Sequence, residues 1–475
     1  MKLAGFLLFA AALLGFIAWH RAPEYDEAYS IFLTAGHARP PWPTGAFTAG
    51  SVRGLFSGHA SLSQIAHDLR TGDVHPPLYF WALESWRQIA GPSWFAARLL
   101  SVAFSLAALA VGGWFASLAA IPLLPALSFT LFTYGFAYTG IIARNFALAQ
   151  FFNLLGFTLV FLAVQRRRRR LALAGGLALG AAAFTNYLAV FTACAVLLWL
   201  CLGRERRRHL LPAACGLTPF LLADAWFFAA QHGSRAGQFA AFSPLPALRL
   251  LVKDFGAAQF GGLPLYAGHF APELAAALAV LFLAALACIL LKRSSHALPL
   301  ALAAAAPPLG LLALGAVFNN TPIEIRYLAF AMPYLALLLA AALPRPLLII
   351  MLAVEFCAIL GLAFSPATMQ PQGFAAHQAA ALPGTLILLP FGNDGVGIPG
   401  PFISQLPDTA RVALLRPGQM PALNHTPSIA LITLTPDAAS RAALTRAQAY
   451  FAAQKCFTET PASNLLTKIL NRCAD

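Results

Sequence analysis

Two carboxylates stand side by side at Asp26 and Glu27, in "PEYDEAYS" (23–30), a few positions past an apolar run of membrane length. Adjacent carboxylates can accept a proton from a nucleophile or hold a divalent cation. Acids at the end of a span are also common, so the pair alone fits a plain surface. A second group lies in "TGDVHPPLYF" (71–80), where Asp73 and His75 precede two prolines. Proline at a helix start is sterically ordinary; an acid and a histidine just ahead of it, at a membrane surface, are less so. The plain reading there is a capping Asp and a surface His. Arginines supply the third element. Arg144 in "TGIIARNFALAQ" (139–150), Arg326 beside Glu324 and Tyr327 in "PIEIRYLAF" (322–330), and Arg98 in "ARLLS" each stand at an end of an apolar run. A guanidinium fork suits phosphate oxygens, and equally a salt bridge to an acid of the first loop.

The elements that must carry these groups follow from composition. Hydrophobic residues make up 59% of the chain and charged residues 10%, against about 25% charged in soluble domains. The apolar surplus is spread along the chain in runs of roughly 17 to 25 residues, the length of helix that crosses a bilayer. The 35 glycines and 34 prolines are compatible with that, because transmembrane helices tolerate both. The net charge is +14, and its placement decides its meaning. The basic runs "QRRRRR" (165–170), "GRERRRH" (203–209) and "LKRSSH" (291–296) each cap an apolar run. That is the pattern of short cytoplasmic loops, and it argues against a nucleic-acid partner.

Anchoring Arg166 to Arg170 inside fixes the rest by parity. The runs 94–116, 118–139 and 143–164 precede that anchor, and 3–19 takes the chain out first. The 3–19 run has no small-x-small cleavage site before "HRAPEY", so it reads as an uncleaved span. Residues 20–93 then begin and end outside, and 76–91 cannot be a full crossing. Its sequence, "PPLYFWALESWRQIAG", is short, carries Glu84 and Arg87, and is rich in aromatics, the profile of an interfacial helix. Onward, 171–187, 188–203, 210–231, 272–291, 297–317, 326–343 and 346–364 bring the total to about eleven spans. The outer face receives 20–93, 232–271 and everything after 365. Asp26, Glu27, Asp73, His75, Arg98, Arg144, Glu324, Arg326 and Tyr327 all map to that face, and this convergence is the case for a site. Asp224 lies inside a span near its outer end, and an intramembrane acid is a functional candidate by default. Glu355, also within an apolar run, has no role assigned.

The chain divides into a membrane-embedded part, 1–364, and a tail, 365–475, that changes character. "GTLILLPFG" and "SIALITL" read as short buried strands, and "TPDAASRAALTRAQAYFAAQ" as a helix after a Thr-Pro start. Together they predict a small α/β domain of roughly 100 residues. "FGNDGVGIPGP" is a loop whose glycines lack the spacing of a phosphate-binding loop. Cys194, Cys201, Cys215, Cys288 and Cys357 lie in apolar runs and read as inert core. Cys456 and Cys473 lie in the tail and can pair if it faces an oxidising compartment. No internal repeat stands out, which weakens a transporter reading.

In order and spacing, "YDEAYS", "HPPLYF", "ARLLSVAF", "ARNFALA" and "EIRYLAFAMPYLALLLA" resemble integral-membrane glycosyltransferases of the GT-C fold. The likeness is nearest to bacterial relatives of protein O-mannosyltransferases (glycosyltransferase family 39) and to lipid A aminoarabinose transferase, and covers roughly residues 1 to 345. The resemblance implies a polytopic α-helical protein of a bacterial inner membrane, with interfacial helices in its first outer loop and an active site facing the periplasm. It implies a polyprenyl-phosphate sugar as donor, inversion at the anomeric carbon, and a lipid, glycan or protein as acceptor. Asp26 takes the place of the base and Glu27 that of the second acid; Arg144 and Arg326 stand where phosphate is expected. Some relatives use a divalent metal ion, for which Asp73 and His75 are the candidate ligands. The second outer loop, with His232, Arg235, Lys253, Asp254 and His269, is expected to help shape an acceptor cleft. One departure matters. Aminoarabinose transferases carry a Glu-Lys pair before the interfacial helix, where this chain has His75-Pro76, which argues against that substrate. Two other classes stay open: a carrier or flippase of lipid-linked sugars, which would place its charges near the bilayer midplane, and a lipid-linked glycan ligase or polymerase, which needs no early acidic pair.

Overall fold

The structure is a computed structural model and describes residues 2–231, 239–292, 296–364, 371–382, 384–423, 426–454, 456–461, 463–464 and 466–473. His232 and Arg235 of the second outer loop lie outside the described residues. The chain forms two compact units. The first comprises Met1–Trp19, Ala66–Ala82 and Arg98–Phe364; the second comprises His20–Ile65, Leu83–Ala97 and Ser365–Asp475.

Helices follow one another as α1 (Lys2–His20), α2 (Tyr25–Thr34), α3 (Leu62–Gly72), α4 (Leu78–Ala90), α5 (Trp94–Leu118), α6 (Leu123–Phe132), α7 (Tyr134–Ile141), α8 (Phe146–Arg166), α9 (Arg169–Ala183), α10 (Val190–Cys201), α11 (Leu210–Gln231), α12 (Pro244–Phe260), α13 (Leu263–Tyr266), α14 (Ala271–Leu291), α15 (Ala297–Phe318), α16 (Ile325–Leu328), α17 (Met332–Ala342) and α18 (Arg345–Phe364). Seven helical segments among the described residues are long and apolar enough to cross a membrane: Lys2–His20, Trp94–Leu118, Phe146–Arg166, Arg207–Gln231, Gly268–Leu291, Ala297–Phe318 and Arg345–Phe364. The other expected spans fall on shorter helices. The run at 118–139 is broken at Thr133, which leaves helical geometry (φ −59°, ψ 125°) between α6 and α7. The run at 326–343 is broken between α16 and α17, where Pro333 opens the second piece.

Small residues set the packing within the first unit. A Cβ on Gly156 of α8 would lie 2.8 Å from the Gly175 carbonyl oxygen, and one on Gly176 of α9 would lie 2.0 Å from that of Ala213 on α11. Helix α9 is thus held between α8 and α11 by backbone contact, as small residues allow in lipid-facing bundles. Helices α11 and α15 carry Pro219 and Pro307–Pro308 in their interiors without ending.

The second unit contains a six-stranded sheet: β1 (Phe47–Thr48), β2 (Leu386–Pro390), β3 (Arg411–Leu415), β4 (Ser428–Ile432), β5 (Phe457–Glu459) and β6 (Thr467–Arg472), in the order β1-β3-β2-β4-β6-β5. Strands β3, β2 and β4 run parallel, and β1, β6 and β5 join antiparallel. Every residue of β2 is buried, as a central parallel strand covered on both faces requires. Leu388, Ala413, Ile429, Ala447 and Phe451 form the centre of its core. The strands expected from "GTLILLPFG" and "SIALITL" are β2 and β4. The expected tail helix is Ala438–Ala453, opened by Asp437, whose carboxylate accepts from the Ser440 amide at 2.7 Å. Helix α4 buries its charges in this unit. Arg87 donates from Nη1 to Thr34 Oγ1 at 2.7 Å and from Nη2 to the Phe56 carbonyl at 2.8 Å. Burial pulls the Arg87 guanidinium below its usual pKa, and Glu84 pulls back.

Candidate active site

Asp26 and Glu27 occupy the first turn of α2, in the second unit. Neighbouring residues on a helix point about 100° apart, so the two carboxylates do not share a face. Glu27, the third helical residue, is fully buried and accepts from the Glu24 amide at 2.9 Å, the return half of a capping box. Glu24 in turn accepts from Arg21 Nε at 2.7 Å. Asp26, half-buried, stands on another face of the same turn, where the positive end of the helix favours an anion.

Helix α2 is fixed from its other side by the glycine-rich loop. Tyr29 donates to Asp394 Oδ2 at 3.0 Å, Asp394 Oδ1 accepts from the Val396 amide at 3.1 Å, and Trp42 Nε1 donates to the Gly395 carbonyl at 2.6 Å. Burial first, and the Asp394 carboxylate second, push the Tyr29 hydroxyl far above the usual tyrosine range. A Cβ on Gly397 would sit 2.4 Å from the Tyr25 ring, and one on Gly400 2.7 Å from the Phe32 ring. These two glycines of "FGNDGVGIPGP" serve close packing against α2.

In the first unit, α3 ends at Gly72 and the turn after it carries Asp73 and His75. Asp73 Oδ1 accepts from its neighbour's amide at Val74, 2.6 Å away, and lies 3.1 Å from His75 Nδ1. Arg144 brings Nη2 to 3.4 Å from the same ring nitrogen and lies over the Phe80 ring at 5.7 Å. A carboxylate beside Nδ1 favours the tautomer protonated there, which makes the ring a donor to Asp73. Arg144 is only 3% exposed and sits in the turn between α7 and α8. That turn is pinned by Asn145, which donates from Nδ2 to the Thr185 carbonyl at 2.8 Å and accepts from Asn186 at 3.2 Å. Sequence reading did not single out either asparagine.

A second relay holds the Asp73–His75 turn. Gln231, the last residue of α11, donates to the carbonyls of Leu69 (2.9 Å) and His75 (3.1 Å), and Tyr187 donates to its Oε1 at 2.8 Å. Asp224 lies on the same helix two turns earlier, 7% exposed, with Oδ1 lacking a hydrogen-bond partner among the described residues. A spacing of seven puts Asp224 and Gln231 on one face of α11. Glu324 and Arg326 form an ion pair, the guanidinium lies 5.2 Å over the Tyr327 ring, and that ring packs 6.3 Å from Phe146 at the head of α8. The structure thus brings Asp73, His75 and Arg144 together, and sets the "EIRY" motif against the same end of α8.

The remaining candidates have other attachments. Arg98 is buried and donates to the Ala18 carbonyl at 2.7 Å, near the end of α1. Asp254 lies on α12, its carboxyl pushed up by burial and drawn back by Lys253. His269 packs on the Phe270 ring at 3.9 Å. Glu355, fully buried on α18, accepts from Gln259 Nε2 of α12. Among the described residues no three His, Cys, Asp or Glu side chains gather as a metal-holding group. At Asp73 and His75 the guanidinium of Arg144 already supplies positive charge, which opposes a cation beside it.

Comparison with protein-family profiles and with curated protein sequences gives no match. Among solved structures the chain is similar to ArnT from Cupriavidus metallidurans. Against the form bound to undecaprenyl phosphate the TM-score is 0.52 at 13% identity, covering 99% of this chain and 98% of that one. Against the apo form it is 0.51 at 13% identity, covering 98% and 97%. A likeness at that identity establishes the fold, and it does so end to end. The protein is a polytopic α-helical membrane protein with GT-C architecture.

Proposed function

We propose that this protein is an inverting glycosyltransferase that moves a sugar from a polyprenyl-phosphate donor to an acceptor at the outer face of a bacterial cytoplasmic membrane. The observation that carries this reading is the buried guanidinium of Arg144, held beside Asp73 and His75 at the head of a membrane helix, within a GT-C fold. A buried fork of donors suits a phosphate that gains charge as it leaves. The comparison structure of ArnT holds a lipid of that chemistry, undecaprenyl phosphate.

In this account Asp26 accepts the proton of the acceptor hydroxyl. The freed oxygen attacks the anomeric carbon, and the bond to the donor phosphate breaks on the opposite side. Arg144 and Arg326 hold the departing polyprenyl phosphate. Glu27 supports the start of the helix that presents Asp26. His75-Pro76, where aminoarabinose transferases carry Glu-Lys, points to a different sugar. The test uses purified wild type and D26N with a panel of radiolabelled polyprenyl-phosphate sugars and envelope extract as acceptor. Donor-dependent release of polyprenyl phosphate by wild type supports transfer. Equal release by both proteins removes Asp26 as the base. Translocation of a donor without release would make the protein a carrier.

A further inference from the structure

The tail carries two cysteines outside the apolar runs, Cys456 and Cys473. Strands β5 and β6 pair antiparallel, with Phe457 opposite Arg472, Thr458 opposite Asn471 and Glu459 opposite Leu470. One step further along, the same register sets Cys456 opposite Cys473, and the Cys473 amide donates to the Cys456 carbonyl at 2.9 Å. A bond between the opposed residues themselves marks a hydrogen-bonded pair, in which the Cα atoms lie about 5.5 Å apart. Side chains of such a pair share one face of the sheet. A disulfide spans Cα separations of roughly 4.4–6.8 Å, so the backbone is already in place for one. Both cysteines are half-buried, and β5 is an edge strand of the sheet, open to a redox partner. The other five cysteines sit on α10, α11, α14 and α18 of the first unit.

We propose that Cys456 and Cys473 form a cross-strand disulfide that locks the last hairpin of the sheet. Two thiols give up two protons and two electrons as the sulfur–sulfur bond forms. The acceptor is the disulfide of a thiol-oxidising protein, reduced to a dithiol through a mixed disulfide. The inference rests on the reading that the tail faces the oxidising outer compartment. The bridge ties β6, and with it the end of the chain, to its neighbouring strand.

The experiment takes the full-length protein from membranes, blocks its thiols at once with N-ethylmaleimide, and digests it with trypsin. Cleavage follows Lys455, Lys468 and Arg472, so each cysteine lands on its own peptide. The expected result is one linked species containing both peptides, lighter by two hydrogens than their sum, released by reductant and lost in C456S and in C473S. Both peptides found alkylated without reduction would overturn the proposal. A C473S protein treated with a membrane-impermeant maleimide on spheroplasts then shows which premise failed. Labelling at Cys456 leaves the tail outside and sinks the disulfide alone. Labelling only after lysis sinks the outside reading, and the disulfide with it.

Discussion

At the scale of the residue, the two adjacent acids have different work. Glu27 closes a capping box and Asp26 does not share its face. With Asp26 as the proposed base, D26N is expected to lower turnover by about 10²–10⁴-fold, the usual loss of a general base, with the melting temperature nearly unchanged. E27A should do the reverse. It removes the acceptor of the Glu24 amide and should cost about 0.5–2 kcal/mol of stability, read as an earlier unfolding transition in detergent. Gln231 is a positioning residue in this account. Q231L removes the amide that donates to the Leu69 and His75 carbonyls, at about 0.5–1.5 kcal/mol for each hydrogen bond lost. It should raise the KM for donor more than it lowers kcat, and Y187F should do the same more weakly.

The sequence marked Asp26, Asp73, His75 and Arg144 because charged residues at the ends of apolar runs are conspicuous. It did not mark Asn145, Asn186, Tyr187 or Gln231, because uncharged polar residues at such positions look like ordinary span ends. Their role appears only when distant segments arrive as partners: backbone carbonyls for Asn145 and Gln231, side-chain oxygens for Asn186 and Tyr187. Glu84 and Arg87 show another limit of the sequence. Charges in a short, aromatic-rich helix do not say which way they point, and here both side chains are buried in the second unit.

At the scale of the element, apolar run length located the membrane helices but not their interruptions. Nothing in "LSFTLFTYGFAYTG" (127–140) sets Thr133 apart, because a break inside a hydrophobic run costs no hydropathy. Strands β2 and β4 were legible as short apolar runs between turns. Strand β1 was not, since two residues in the first loop carry no period, and their pairing with β3 is a long-range event. Adding a methyl at Gly176 drives a Cβ against the Ala213 backbone, so G176A should lower the yield of folded protein; overpacking of this kind costs about 1–3 kcal/mol. The Tyr29–Asp394 contact ties α2 to the glycine-rich loop. A hydroxyl whose folded pKa is raised stabilises below its unfolded value and loses that contribution as pH climbs past it. Stability should thus fall by about 1.4 kcal/mol per pH unit above roughly pH 10. Y29F should flatten that alkaline slope in a denaturant titration.

At the scale of the whole molecule, the chain joins a helical membrane unit to a unit with a mixed sheet, and its fold follows ArnT from end to end. The basic loops and the apolar runs carried most of the architecture in plain sight. The partition of the chain was less visible, because the tail shares its unit with His20–Ile65 and Leu83–Ala97, segments far apart in sequence. The proposed reaction breaks the bond between a sugar and a polyprenyl phosphate. Its most direct measurement is release of polyprenyl phosphate from a radiolabelled donor, with envelope extract as acceptor, by purified wild type and D26N side by side. Wild type is expected to release it and D26N to lose about 10²-fold or more of that rate, with donor binding retained. Wild type that binds a donor but releases no polyprenyl phosphate would contradict it.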